Sequence, residues 1–451
     1  MMPPKPPARP EKVSLWKYVK LFRQDILSAQ PARLYRAWMA EFKTPFFRSY
    51  LVNQPELVKC VLKDRPMDFP KSDRIGAGLR PLLGESVFLT NGETWLRQRR
   101  IIDPAFEGGR LRETFPAMWD AAEAALTRLK TRTAEQVEIE EVSSHFAADV
   151  IFRTLFSIPI EDEVASAVFH EFRAYQRTQP ILNLAAFIPG PRWMPRFFKR
   201  ETKASAKRIR SLIAQLTEAR MAQIKAGTAP DDLATKIMTT VDPVTGQTFT
   251  TEEMVDQVAI FFLAGHETSA SALGWALYLL ATHPDWQDKL AAEAQGLEQD
   301  FSSVARMRIS RDVFREALRL YPPVPMMVRE TTCPETFRDR KLPISSQIVL
   351  SPWHLHRHER LWDNPDGFDP ARWQTENGKQ CGRDAYIPFS AGPRVCTGAG
   401  FAMLEGPLML SMLLRDLRVS PVAGKIPMPE AHLTVRSRDG IWLRIDPRDR
   451  V

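Results

Sequence analysis

The chain has only four cysteines in 451 residues: Cys60, Cys333, Cys381 and Cys396. Their spacing fits no metal-binding pattern. That argues against a disulfide framework and suits a reducing cytoplasm. The sequence also lacks any uninterrupted apolar run of the roughly 18–20 residues that a membrane-spanning helix needs. Its N-terminus has neither the apolar core nor the cleavage site of a signal peptide. No Ser/Gly linker, internal repeat or low-complexity block occurs beyond the PPKPPARP stretch at residues 3–10. These absences predict one compact domain over residues 21–451, after a flexible proline-rich tail at residues 1–20. A strong charge excess is missing too. A net charge of +8, with basic runs as short as Arg97-Gln-Arg99-Arg100, requires no nucleic-acid partner. The 44% apolar and 26% charged content is that of an ordinary globular protein.

Helical periodicity covers most of what is present, with short strand-like pieces towards both ends, so the fold class is mainly α with a small β portion. Residues 46–52 predict a strand, with a helix opening at Pro55. Residues 335–351 predict a hairpin, and residues 432–446 a second one turning at Asp439-Gly440. The longest helix opens on a capping box, Thr250-x-x-Glu253, and its pattern continues to about Ala281. Midway stands Ala264-Gly265-His266-Glu267-Thr268. Glycine costs a helix interior about 1 kcal/mol relative to alanine, and threonine competes for backbone hydrogen bonds. Either helix regularity yields here or small residues pack against a neighbouring helix.

Near the C-terminus lies Phe389-Ser-Ala-Gly-Pro-Arg-Val-Cys-Thr-Gly398. Cys396, as a thiolate, is a candidate metal ligand. Gly392 and Gly398 allow close backbone approach or positive φ. Phe389 can shield the sulfur, and Arg394 can pair with a carboxylate. The apolar stretch from Phe401 predicts a helix whose first N–H groups favour negative charge at the sulfur. A porphyrin carrying two propionates and an iron meets these demands. Gly406-Pro407 falls inside that helix, where proline removes a hydrogen bond and favours a kink.

The pattern F-x-x-G-x-R-x-C-x-G resembles the haem-binding loop of the cytochrome P-450 superfamily. Ala264 to Thr268 is similar to that family's distal-helix signature A-G-x-[DE]-T. Glu316-Ala-Leu-Arg319 fits its E-x-x-R motif, and Phe368-Asp-Pro-Ala-Arg372 its partner segment. The resemblance covers nearly the whole chain from about residue 45. It implies haem b on Cys396, with Trp95, Arg99, Arg329 and Arg394 at the propionates and Phe389, Gly392, Gly398 and Ala264 also against the cofactor. It implies proton delivery by Glu267 and Thr268, and a structural network of Glu316, Arg319 and Arg372. By family position the substrate pocket is lined by Phe88, Leu89, Phe261, Val324, Met326, Met327 and Leu433. That lining is apolar and carries no charged anchor, so a hydrophobic substrate is expected.

The expected activity is a monooxygenase using O₂, with electrons from a separate acidic ferredoxin or flavodoxin and its reductase. Arg97, Arg100, Lys379 and Arg383 are the cations expected to steer that donor. A cytoplasmic, bacterial-type monomer with no transmembrane anchor follows, although a chain relieved of an N-terminal anchor reads the same way. A peroxide-driven enzyme or an isomerase on this fold is disfavoured by the intact Glu267-Thr268 pair. A haem gas sensor is disfavoured because only 55 residues (451 − 396) follow Cys396. His354, His356 and His358 would share a strand face if extended. A metal site there is the lesser reading, because family resemblance makes this a structural His-Arg stretch. Residues 180–198, apolar with two arginines, are expected to form a lid over the substrate channel.

Overall fold

The structure, a computed structural model, describes residues 2–43, 48–76, 78–178 and 200–448. It divides into two compact units. The first comprises Met1–Phe69, Ala122–Ser144 and Thr268–Val451, and the second Pro70–Ala121 and His145–Glu267. All strands among the described residues belong to the first unit, and the second is helical.

Four strands build the main sheet of the first unit, in the order Met39–Lys43, Arg48–Val52, Gln347–Leu350, Met327–Glu330. Arg48–Val52 runs parallel to Gln347–Leu350, which pairs antiparallel with Met327–Glu330. One face of this sheet buries Tyr50, Val52, Ile348 and Leu350 with Leu355, Trp362, Trp373 and Ile387. The sheet thereby fixes the approach to the cysteine loop and holds Arg329 on its edge strand.

The hairpin predicted at 335–351 is smaller than expected. Glu335–Phe337 pairs with Arg340–Leu342, while Gln347–Leu350 leaves for the main sheet. The hairpin predicted at 432–446 does not form. Val435–Ser437 pairs back onto Pro429–Ala431, and Trp442–Pro447 pairs with Gln136–Glu138 and Leu417–Pro421. Alternation marks the strands correctly, but it carries no information about which partner a strand finds across the chain.

The long helix runs Thr251–Thr282. Its capping box is complete: the Thr250 N–H donates to Glu253 at 2.8 Å, and the Glu253 N–H to Thr250 Oγ1 at 3.2 Å. The helix stays α-helical through Ala264–Thr268, without the interruption that glycine and threonine suggested. Gly265 has a packing reason instead. A Cβ there would come within 2.9 Å of Ile151 on the helix Ile139–Phe156. The helix after Cys396 is likewise continuous, Ala399–Asp416, with Pro407 inside it. Gly406 seats the ring of Phe314 so tightly that a Cβ would overlap it.

The N-terminal residues are held against the first unit. Lys5 pairs with Asp366 at 2.5 Å, Arg9 donates to the Ala29 carbonyl at 2.7 Å, and Tyr321 donates its hydroxyl to the Pro4 carbonyl at 2.8 Å. No helix among the described residues is long and apolar enough to cross a membrane. The lid expected at residues 180–198 lies outside the described residues.

Candidate active site

The cysteine loop is seated by backbone contacts. Gly392 adopts φ +67°, and a Cβ there would drive into the Leu62 carbonyl, so only glycine fits. Of the two roles expected of Gly398, positive φ is not the one used. Its φ is −83°, and it caps the helix Ala399–Asp416 without positive φ. The Cys396 N–H donates to the Phe389 carbonyl at 2.9 Å, closing the loop on the aromatic residue. Cys396 is the only exposed cysteine of the four. The other thiols are poor thiolate candidates. Burial pushes Cys60 up, and Cys381 up to about 11, while a hydrogen bond to the Glu335 carboxylate raises Cys333.

Behind this loop lies a buried ion network. Arg319 and Glu316 are fully buried, and Arg372 nearly so. Arg319 donates to both Glu316 oxygens, at 2.9 and 2.8 Å, and Arg372 donates to Oε1 at 3.0 Å. Burial pushes the Glu316 carboxyl up, but the two guanidiniums outweigh it and hold the group below its ordinary range. The arginines spend their remaining donors on the carbonyls of His356, Asp363, Asn364, Pro365 and Gly367.

Here the structure gives His356, read from the sequence only as part of a structural His-Arg stretch, a specific role. Arg319 holds the His356 carbonyl at 2.9 Å, and the His356 ring accepts the Ile387 N–H on Nε2 at 2.9 Å. Ile387 lies two residues before Phe389, so one hydrogen-bonded path leads from Glu316 to the cysteine loop. Burial, and after it Arg319, lowers His356 to about 3, which keeps the ring neutral and able to accept. His354 also falls to about 3 and His358 to about 4, burial being the main cause. The three histidines do not share a strand face. His354 lies in the short helix Pro352–Leu355 and His356 caps it. No metal-binding cluster occurs among the described residues.

Arg329 is a buried cation in need of an anion. Among the described residues no carboxylate pairs with it, and its one hydrogen bond goes to the Val328 carbonyl at 3.1 Å. Burial, and then the like charge of Arg394, lowers it to about 10. Arg394 reaches the Pro66 carbonyl at 2.5 Å. In the helical unit, Trp95 is buried and Arg99 half-buried, one turn apart on the helix Gly92–Ile102. Arg99 pairs with Asp103 at 2.8 Å.

The long helix carries the most informative pattern. From Met254 to Ala281 every residue is buried except Phe261, Ala264, Gly265 and Thr268. These fall at i, i+3, i+4 and i+7, which is one face of a helix. Glu267 is buried on another face, where Gln176 donates to it at 3.1 Å. Gln176 belongs to no motif, so nothing in the sequence singles it out. Of the remaining pocket candidates, Leu89 is buried, Val324, Met326 and Met327 are half-buried, and Phe88 and Leu433 are exposed.

Two of the four steering cations are engaged internally. Arg97 bonds Glu253 at 2.6 Å, and Arg100 bonds the fully buried Asp242 at 2.5 Å. Lys379 pairs with Glu376 at the surface, and Arg383 is exposed.

The family model described as "Cytochrome P450" matches residues 27–443. The chain belongs to the cytochrome P450 family. It is 32% identical over 401 residues to cyclooctatin synthase of Streptomyces melanosporofaciens, covering 85% of this chain and 84% of that protein. It is 31% identical to cyclooctat-9-en-7-ol 5-monooxygenase of the same organism, covering 84% of this chain and 81% of that one. Human cytochrome P450 4A11 is 30% identical, with 83% and 76% covered. The crystal structure of the cytochrome P450DA haem domain matches the fold with a TM-score of 0.81 at 23% identity, over 100% of this chain and 98% of that one.

This P450 is a haem-thiolate monooxygenase that uses O₂ and a redox partner. The residues present fit the haem that the family implies. An exposed cysteine stands on a loop closed by a backbone hydrogen bond, and a buried guanidinium in the same unit calls for an anionic group.

Proposed function

We propose that this P450 hydroxylates a hydrophobic small molecule in the cytoplasm, working as a monomer with haem b and with a ferredoxin or flavodoxin as electron donor. In this reading Cys396 ligates the iron. Arg329, Arg394, Trp95 and Arg99 hold the propionates, and Phe389, Gly392, Gly398 and Ala264 lie against the ring. Haem bound through a thiolate supplies the activation of O₂. The protein's own contribution is positioning and protons. Glu267 and Thr268 serve proton delivery, a relay in which the Thr268 hydroxyl Oγ1 is the last protein atom. Phe261, Val324, Met326, Met327, Phe88, Leu89 and Leu433 supply apolar surface that excludes water from the substrate.

One observation supports this reading: the incompletely buried residues of an otherwise buried helix, Thr268 and Ala264 among them, share one face. A relative named for oxygenating cyclooctat-9-en-7-ol at position 5 supports a hydrophobic substrate class. The test is Thr268→Ala with a substrate found by a spin-state binding screen. Substrate binding and haem content should stay at the wild-type level while product per electron falls and hydrogen peroxide rises. Relays of this kind contribute about 10²–10⁴-fold to the step they serve. A fully coupled Thr268→Ala variant would overturn the assignment.

A further inference from the structure

Glu405 is a buried carboxyl that the reading above does not use. It sits on the helix Ala399–Asp416, nine residues after Cys396. The hydroxyl of Ser269, itself buried, donates to Glu405 Oε1. Ser269 follows Thr268 directly on the long helix. One hydrogen bond therefore ties the helix that starts at the cysteine loop to the residue beside the candidate proton relay. We propose that Glu405 is a protonatable positioning residue, whose bond to Ser269 fixes the setting of the long helix at Thr268 and changes with the proton occupancy of the carboxyl. This rests on the assignment of Thr268 above.

Three features of the surroundings support it. First, among the described residues no cation offsets the carboxyl. The helix Ala399–Asp416 packs against Pro284–Ala294 and Arg308–Leu320, where Asp285, Arg308 and Arg311 are exposed or half-buried and the other charged groups are engaged elsewhere. Glu316 and Arg319 bond each other, Arg315 lies near Asp312, Asp288 meets Arg418 and Arg448, and Glu293 takes the N–H groups of Ile309 and Ser310. Lys289 lies over the ring of Trp286, and on the long helix Glu267 is bonded by Gln176. Second, the backbone beside the carboxyl is closely packed, since a Cβ at Gly406 would overlap the Phe314 ring. Third, burial raises Glu405 to about 7, and the Ser269 bond opposes that rise. The proton is thus exchangeable near neutral pH, although the group is out of solvent.

The sign of the pH effect follows. As pH rises through about 7 the carboxyl charges, and the Ser269 bond becomes charge-assisted and stronger. Removing the Ser269 hydroxyl takes away a bond that favours the charged form, so the transition must move to higher pH. The experiment uses the resting haem-loaded protein, with no substrate turnover in its first arm. Infrared difference spectra between pH 5.5 and 8.5 should contain a protonated-carboxyl band that titrates near 7 and is missing in Glu405→Gln. In Ser269→Ala the same band should titrate at a higher pH.

In the second arm, wild-type coupling of electrons to product should vary across the same pH transition. In Glu405→Gln, which keeps an acceptor for Ser269, coupling should be independent of pH in that window. Loss of the band with coupling that still follows the wild-type pH profile would overturn the positioning role. So would a band that Glu405→Gln leaves in place. Failure of Thr268→Ala to uncouple would instead strike the reading beneath it, and the two failures are separately visible.

Discussion

Glu316 illustrates what single residues do in this P450. It lies between two guanidiniums with no access to solvent, so the network is stable only while every partner is present. Glu316→Ala would strand Arg319 and Arg372 in the interior, at a cost of about 3–5 kcal/mol. Urea unfolding should register that loss, and purified Glu316→Ala should retain little haem. His356→Ala is the finer probe. It leaves the Ile387 N–H buried without its acceptor, a penalty of about 1–3 kcal/mol. Stability should fall modestly, but haem retention should fall more than stability does, because the lost bond is the one that joins the network to the cysteine loop. A His356→Ala protein with wild-type haem occupancy would refute that path. His356→Gln, which can place an amide oxygen near the same N–H, should recover part of the effect.

At the scale of elements, the site was readable wherever chemistry demanded a residue type at a fixed spacing. The cysteine loop, the capping box and the helix Thr251–Thr282 were legible for that reason. Pairing partners were not, because alternation along residues 432–446 marks strands without naming their neighbours. Nor was the meaning of Gly265. Sequence left open a break in the helix or a close helix contact, and the nearness of Ile151 favours the contact. Gln176 was invisible, and the role of His356 within its structural stretch was unread, for a third reason: each acts through a hydrogen bond to a residue far away in sequence. Gly406 offers a test at this scale. Its Cβ space is taken by the Phe314 ring, so Gly406→Ala must push apart two helices of the first unit, which typically costs about 1–3 kcal/mol. Thermal melting should detect it, and Phe314→Leu in the same protein should restore part of the loss by clearing the ring. If Gly406→Ala melts like the wild type, the close fit is wrong.

For the molecule as a whole, the modest excess of positive charge matters only where cations are available to a partner. Arg97 and Arg100 look basic in sequence, yet both are committed to carboxylates of the chain itself, Arg97 to half-buried Glu253 and Arg100 to Asp242, which has no exposure at all. Reversing Arg100 should therefore lower the melting temperature, because it sets a negative charge against buried Asp242. Lys379 and Arg383 differ. They lie on the helix Glu376–Asp384, shortly before the cysteine loop, and a surface pair such as Lys379 with Glu376 holds its lysine weakly. An acidic electron donor would be steered by these two charges over about 10 Å at physiological salt, and less as salt rises. Lys379→Glu with Arg383→Glu should slow reduction by the donor on the order of tenfold at low ionic strength, within the range steering contributes. The gap should close in high salt, with the melting temperature unchanged. If the double variant is slowed equally at low and high salt, the charges are not steering the donor. If it is not slowed at all, the donor docks elsewhere, and the exposed cations of this helix serve only to keep it solvated.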